Sequence, residues 1–433
     1  MRQITVARRR RAIDLVGLAP LAGALLVVAW LLRVPRAPRD GVEAFLGATL
    51  LGVAVVHAAY AALQSVLWLR YRPFVAPAEA PKLAVTVVIP AFNEGPMVER
   101  SIRSVVASDY PRELLDVIVV DDGSRDDTFF CMNKLRRSHP DVVRLVRFRG
   151  NRGKRAALEA GFRAARGEIV VTIDSDSVVE PRTIAQMVAP FADAQVGAVA
   201  GRVAVLNVDA FYGRMLAVQY ALAFDFARAA QSVYRAVAVC PGALSAFRRE
   251  VILPHLDGWM RQTFLGRPVN HGEDQALTNI VLKLGYDTVY QRTAVIRTLA
   301  PTTHAQLARM LLRWDRSYVV EGLSFARFML TRYREKNRVL PAVAFAAANL
   351  RVVLLAWAIA TLPFAFRLDA SLLLHGLAAA AVGALVTAAY DLRHERSFRF
   401  LYGALYAVYS AVLLQWVLPW AVVTVRDERW GTR

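Results

Sequence analysis

Two carboxylates one residue apart, Asp174 and Asp176, stand directly after the apolar run EIVVTI at 168–173. At a strand end such a pair can hold Mg2+ or Mn2+ while the ion bridges a substrate diphosphate. The ion then offsets the charge of a departing nucleoside diphosphate. Alone, Asp-Ser-Asp is an ordinary polar loop. It gains weight from Gly153–Lys154–Arg155 at a helix start upstream, from which Lys154 and Arg155 could reach the same diphosphate. A second acidic pair, Glu273–Asp274, offers a carboxylate to deprotonate an acceptor hydroxyl. Taken alone it reads first as the start of a helix over 275–284, where acids suit the dipole. The third feature is Arg313–Trp314, followed by Arg316 and by Phe325, Phe328, Met329 and Tyr333 interleaved with Arg327, Arg332 and Arg334. That pattern predicts an amphipathic segment, about 326–338, lying on an inner leaflet. Residues 211–228 admit the same reading or plain core packing.

The elements that position these residues follow from pattern. Strands are predicted at 83–90, 114–120, 142–148 and 168–173, alternating with helices at 95–107, 126–138 and 154–166. Near-continuous apolar strands alternating with helices indicate an α/β fold whose parallel sheet is covered on both faces. In open α/β sheets ligands bind beyond the carboxyl ends of the strands, and Asp121–Asp122 and Asp174–Asp176 both fall at such ends. The stretch Gly150 to Arg155 lacks P-loop spacing, and no Gly-x-Gly-x-x-Gly follows the first strand, so a dinucleotide oxidoreductase is disfavoured.

The chain of 433 residues is 56% hydrophobic yet 21% charged, which is consistent only if the two kinds of residue are segregated. Residues 15–32 and 44–69 carry no charge, and 352–366, 370–390 and 400–425 repeat the pattern, with Arg351 clouding the first of these. Each approaches the ~20 residues needed to cross a bilayer as a helix. The expected layout is two spans within 1–75, a polar domain over 82–325, the interfacial segment, and about three spans within 339–433. A signal peptide is the weaker reading of the basic Arg8–Arg11 start, because no small-x-small cleavage site follows. Trp30, Trp68, Trp416 and Trp420 suit interfacial anchoring, and the basic residues place the polar domain in the cytoplasm, at the plasma (inner) membrane. The formal charge of +19 then points to anionic lipid headgroups, and no nucleic-acid motif is present. Only two cysteines, Cys131 and Cys240, occur, in accord with a reducing compartment.

Taken in order, VVIPAFNE (87–94), VVDDGSRDDT (119–128), GKR (153–155), IDSDS (173–177), TFLGRPVNHGEDQALTN (263–279) and RW (313–314) resemble the family 2 glycosyltransferases. The resemblance is to the processive branch of hyaluronan, chitin and rhizobial chitin-oligosaccharide synthases, and residues 230–250 resemble its acceptor-binding stretch. It implies a GT-A, Rossmann-like domain and a metal-dependent, inverting transfer from a UDP-sugar to a growing polysaccharide beside a lipid bilayer. By position it implies Glu94, Asp121, Asp122, Lys154, Arg155, Asp174, Arg313 and Trp314 on the donor. Asp176 with Asp174 would hold Mg2+ or Mn2+. Asp274 would be the base with Glu273 its neighbour, and Cys240, Gly242 and Trp314 would meet the acceptor. The family's Gln-x-x-Arg-Trp is here Met310-Leu-Leu-Arg313-Trp314, and its Gly-Pro pair is Gly242–Ala243. Both departures bear on chain length and processivity. N-acetylglucosamine is the expected sugar, and oligomeric state stays open. Alternatives are a non-processive lipid-linked sugar synthase and a transport or scaffold protein with an inactive domain.

Overall fold

Runs rich in Val and Ile favour a pleated surface buried on both sides. In the computed structural model they form strands β1 (Val85–Ala91), β2 (Leu115–Asp121), β3 (Val143–Arg147) and β4 (Ile169–Ile173). β1 and β4 are buried throughout. Then come β5 (Ser177–Val179), β6 (Val196–Val205), β7 (Leu244–Arg248), a small hairpin of β8 (Thr263–Phe264) and β9 (Arg267–Pro268), and β10 (Asp287–Thr298). The main sheet has the order β3-β2-β1-β4-β7-β6-β10-β5. Parallel register sets Ala91 opposite Asp121 and Val88 opposite Thr172. Three neighbouring strands therefore end on one edge, and the turns carrying Asn93–Glu94, Asp121–Asp122 and Asp174–Asp176 stand side by side.

Helices Met97–Val106, Thr128–Ser138 and Lys154–Ala164 follow β1, β2 and β3, within two residues of expectation at each end. The Lys154 helix lies very close to the sheet at Gly161, where a Cβ would come within 2.3 Å of Val88 Cγ1. The sheet is mixed rather than all parallel: β7 runs antiparallel to both β4 and β6, and β5 antiparallel to β10. The reason is the path of residues 206–243. They leave β6 at its carboxyl end and stay on that side, so the next strand must run back.

The structure describes residues 41–76, 82–335, 337–368 and 400–427. The uncharged runs 15–32 and 370–390 and the basic cluster at 8–11 lie outside them. Two compact units emerge, Met1–Arg70 with Val343–Val408, and Tyr71–Ala342 with Tyr409–Arg433. Helices Gly41–Arg70 and Val339–Leu368 have 30 residues each, roughly 45 Å at 1.5 Å per residue. Many of their side chains are outside the description. Among the described residues no helix is long and apolar enough to cross a membrane.

One expectation changes here. The apolar run 400–425 is not one helix but two, Phe400–Leu413 and Val417–Val423. The second packs on helix His304–Met329, where Arg316 Nη2 donates to Thr424 Oγ1 at 2.9 Å and pairs with Asp427 at 3.3 Å. Within the segment 326–338, Arg334 is buried and ion-paired with Asp287 at the start of β10, while Leu330 is exposed.

Candidate active site

The donor side is laced together by short side chains accepting backbone N–H groups. Asn93 N donates to Ser124 Oγ at 3.0 Å, Arg125 N to Asn93 Oδ1 at 2.9 Å, and Glu94 N and Gly95 N both to Thr128 Oγ1 at 2.8 Å. Asp122 accepts from Arg152 N at 2.7 Å and Gly153 N at 2.9 Å, one on each carboxylate oxygen. Both oxygens are thus committed to the 150–153 loop. Asp122 holds that loop against the end of β2, and burial raises its pKa against those two bonds. The loop comes so close that only glycine fits at 123, where φ is +75° and a Cβ would lie 2.4 Å from Gly150 C. Asp121 is fully buried; its Oδ1 accepts Ser124 N at 2.9 Å. Asp121 Oδ2 stands 3.2 Å from Arg147 Nε and is buried with no hydrogen-bond partner.

At the end of β4, Asp174 Oδ1 lies 2.6 Å from Lys154 Nζ, and the same ammonium is 3.1 Å from Glu273 Oε1. Burial alone would lower the pKa of Lys154, but Asp174 and Glu273 more than reverse this and hold it charged. Asp176 accepts from the hydroxyls of Ser177 and Thr298, each at 3.1 Å. Burial, then the charges of Asp174 and Glu94, push its pKa up to about 6. Three carboxylates that repel one another suit a cation, and an all-oxygen donor set suits Mg2+ or Mn2+. Among the described residues no group of three His, Cys, Asp or Glu is arranged to hold an ion. Asp174 and Asp176 fit as a two-carboxylate holder completed by substrate oxygens.

The acids 273 and 274 open helix Glu273–Lys283 after Gly272, which takes a left-handed φ of +72°. Glu273 is buried, yet Lys154 and Arg313 outweigh that burial and keep its pKa below the ordinary value. Asp274 Oδ2 accepts Gly242 N at 2.8 Å and Oδ1 accepts Gln275 N at 2.8 Å. Burial and the neighbouring Glu273 charge raise its pKa, the direction that suits a proton acceptor near neutrality. Gly242 forms the wall beside this cluster: a Cβ there would meet Lys154 Nζ at 3.0 Å, with Glu273 Oε1 at 3.7 Å and Asp274 Oδ2 at 3.8 Å.

Trp314 lies on helix His304–Met329, one turn after Met310. Its ring is 6.2 Å from that of Tyr220 and 5.9 Å, edge-on, from that of Phe224. Both partners sit where helix Phe211–Tyr220 passes into a π-helical stretch, Ala221–Phe226, a deformation common at functional sites. Tyr220 and Phe224 escaped the sequence reading, whose only signal was an ambiguous amphipathic run at 211–228.

Two expected site residues do not face the site. Arg155 donates through Nη1 to Trp259 O at 2.9 Å and Gln262 Oε1 at 3.1 Å, and stacks over the Trp259 ring at 5.1 Å. It starts the helix one residue past Lys154, a rotation of about 100° at 3.6 residues per turn, so the two cannot point alike. Cys240 has no exposed surface, and burial raises its thiol to about 12; its backbone N–H donates to Thr278 Oγ1 at 3.0 Å. It therefore supports the acceptor wall from behind and offers it no reactive sulfur.

Residues 81–317 match the family described as glycosyltransferase like family 2. The chain belongs to that family. It is a glycosyltransferase with a GT-A, Rossmann-like fold. It is 31% identical over 399 residues to a hyaluronan synthase of Streptococcus pyogenes serotype M1, covering 89% of this chain and 92% of that one. An N-acetylglucosaminyltransferase of Azorhizobium caulinodans is 31% identical over 354 residues, 81% and 87% of the two chains. Among solved structures, a mannosyltransferase from Pyrobaculum calidifontis in complex with GDP-Man and Mn2+ superposes with a TM-score of 0.58 at 25% identity, covering 86% of this chain and 99% of that one.

Proposed function

We propose that this glycosyltransferase moves N-acetylglucosamine from UDP-N-acetylglucosamine to the end of a β-linked polysaccharide, with inversion at the anomeric carbon. The observation that carries the reading is the position of Lys154 Nζ. It is held between Asp174 on the donor side and Glu273 on the acceptor side, with Asp274 just beyond, hydrogen-bonded to the wall at Gly242. One ammonium thereby links the place for a diphosphate to the place for a base. The N-acetylglucosaminyltransferase relative supports this choice of sugar, and the hyaluronan synthase relative supports a polymer product.

In this scheme the acceptor hydroxyl loses its proton to Asp274 as its oxygen bonds to the anomeric carbon. The bond from that carbon to the diphosphate breaks on the opposite side. Asp121 holds the nucleoside, Arg313 and Lys154 balance the leaving charge, and Trp314 carries the acceptor sugar. Asp174 and Asp176 would hold a divalent ion, which when bound would add to the neutralisation of the diphosphate. The apolar segments 15–32, 44–69, 352–366 and 370–390 embed the protein in the inner membrane with the catalytic unit in the cytoplasm. On this reading they also carry the product outward. A short product is favoured by one detail: the Tyr220 hydroxyl faces Met310 Sδ at 3.8 Å, where the family's Gln would offer a polar grip.

The test is UDP release by the purified protein in lipid with Mn2+ or Mg2+, given UDP-N-acetylglucosamine, UDP-glucuronate or both. Turnover with the first alone and a chitinase-sensitive product is the expected result. A requirement for both donors with a hyaluronidase-sensitive product would move the reading to a two-sugar polymer. No release with any donor, or the same metal-free rate, would overturn it.

A further inference from the structure

Arg155 lies at the end of a buried polar relay that includes the buried Glu321, a residue absent from the scheme above. Glu321 is 1% exposed, on the same stripe of helix His304–Met329 as Met310, Trp314 and Ser317. Gln262 Nε2 donates to its Oε1 at 2.6 Å, and Asn279 Nδ2 donates to its Oε2 at 2.8 Å and to its backbone oxygen at 3.0 Å. Gln262 Oε1 in turn accepts from Arg155 at 3.1 Å. The amide orientation is dictated by its neighbours: oxygen towards the guanidinium, nitrogen towards the carboxylate. A buried cation and a buried anion thus balance each other through a neutral amide, with no direct ion pair.

The three residues bound to this relay belong to the three elements that carry the site. Arg155 starts the helix bearing Lys154, Asn279 is in the helix bearing Glu273 and Asp274, and Glu321 is in the helix bearing Arg313 and Trp314. We propose that Glu321 is a positioning residue for transfer, fixing the base helix and the Trp314 helix against the Lys154 helix through Gln262 and Asn279. The proposal rests on the transferase reading above. It concerns geometry between elements, and the nucleoside end of the donor pocket, at the ends of β1 and β2, lies outside the relay. A charged hub rather than an apolar one suits this task, because both Glu321 carboxylate oxygens and the Gln262 amide are satisfied in one arrangement only, where apolar contacts tolerate several.

The experiment compares Glu321→Gln, the double variant Glu321→Gln with Gln262→Glu, and Asp274→Asn, all as full chains in lipid. Glu321→Gln sets an amide nitrogen against one of two amide donors. It should cut kcat for transfer by roughly tenfold to a hundredfold, the usual result of a sub-ångström to 1 Å misplacement, with Kd for UDP changed by much less than kcat. The double variant moves the carboxylate one step along the relay. Arg155, Asn279 and the amide introduced at position 321 can then all be satisfied, and most of the lost kcat should return. Wild-type kcat in Glu321→Gln would overturn the proposal. So would donor affinity falling in step with kcat, which marks general support of the fold, or a folded double variant that recovers nothing. Asp274→Asn reports separately on the reading beneath: full activity there removes the base assignment, whereas the split between kcat and Kd at Glu321 still decides the hub.

Discussion

On the proposed reading, the donor half and the acceptor half of the site are built by different physics. On the donor side, parallel strands end together, and Asp121, Asp122, Ser124 and Thr128 bind backbone N–H groups, Asp121 three residues on and the others 30 to 34 residues away in the neighbouring strand-end loops. Geometry there is set by directional hydrogen bonds between neighbouring loops. On the acceptor side, Trp314 is held by the rings of Tyr220 and Phe224, and Gly242 by a single bond to Asp274. Contacts of that kind are less directional, so the acceptor half can change its grip on the sugar while the chemistry stays in place. The contrast predicts that donor-side lesions abolish binding, acceptor-side lesions alter length or KM, and lesions at the junction stop transfer.

The largest effect belongs at the junction. Asp274→Asn should keep donor affinity and lower kcat by about 10²–10⁴, the span typical of a general base. Titration of UDP binding beside single-turnover transfer would check both halves of that statement. Because burial and Glu273 raise the Asp274 pKa, the acid limb of the wild-type pH profile should lie above the ordinary carboxylate range. Next comes Asp122→Ala on the donor side. It strips two backbone N–H groups of their acceptor, at about 1–3 kcal/mol each, and should weaken UDP-sugar binding while the surviving kcat changes little. An unchanged donor Kd would show that the 150–153 loop holds itself, and the contrast between the halves would lose its main support.

The same difference explains what could be read in the sequence. The donor side was legible nearly residue by residue. Its acids sit at the ends of apolar runs, and its helices at 97–106, 128–138 and 154–164 follow local periodicity. Arg155 misled because type and position promised a diphosphate ligand, whereas helical rotation sends it to Trp259 and Gln262. Antiparallel β7 was invisible because it depends on where residues 206–243 travel, a long-range matter. Tyr220, Phe224 and Glu321 were missed for the same reason: their partners are 42 to 94 residues distant in sequence and no local pattern announces them. For Glu321 a faint signal existed, a lone acid on the apolar stripe of the 304–329 helix.

His271, in the loop leading to the base helix, tests the junction through stability. Burial, then Arg316, lower its pKa from 6.5 to about 4, and its Nδ1 is buried without a hydrogen-bond partner. The folded state thus keeps it neutral while the unfolded chain takes a proton below 6.5. Its contribution is complete above pH 6.5 and is lost as pH falls towards 4, reaching about 3 kcal/mol at the bottom of that window. His271→Gln should remove this slope, so that the difference in Tm between variant and wild type changes from pH 7.5 to pH 5. A constant difference would show that His271 is charged in the fold.

The smallest effect, and the one that separates the halves most cleanly, is expected from Phe224→Ala. Removing one ring from an aromatic pair forfeits about 0.5–1.5 kcal/mol beyond area burial, a roughly twofold to twelvefold change. That change should appear in KM for an oligosaccharide acceptor and not in Kd for the donor, because the rings beside Phe224 are those of Trp314 and Tyr220. Met310→Gln should act in the opposite sense: a side-chain amide below the Tyr220 hydroxyl replaces a thioether 3.8 Å away and restores a polar hold on the acceptor end. Longer chains at unchanged initial rate would follow, read from the product size distribution. If Phe224→Ala instead weakened donor binding, the aromatic cluster would be part of the donor half. The π-helical stretch at 221–226 would then serve to brace the donor pocket, and not to present the acceptor.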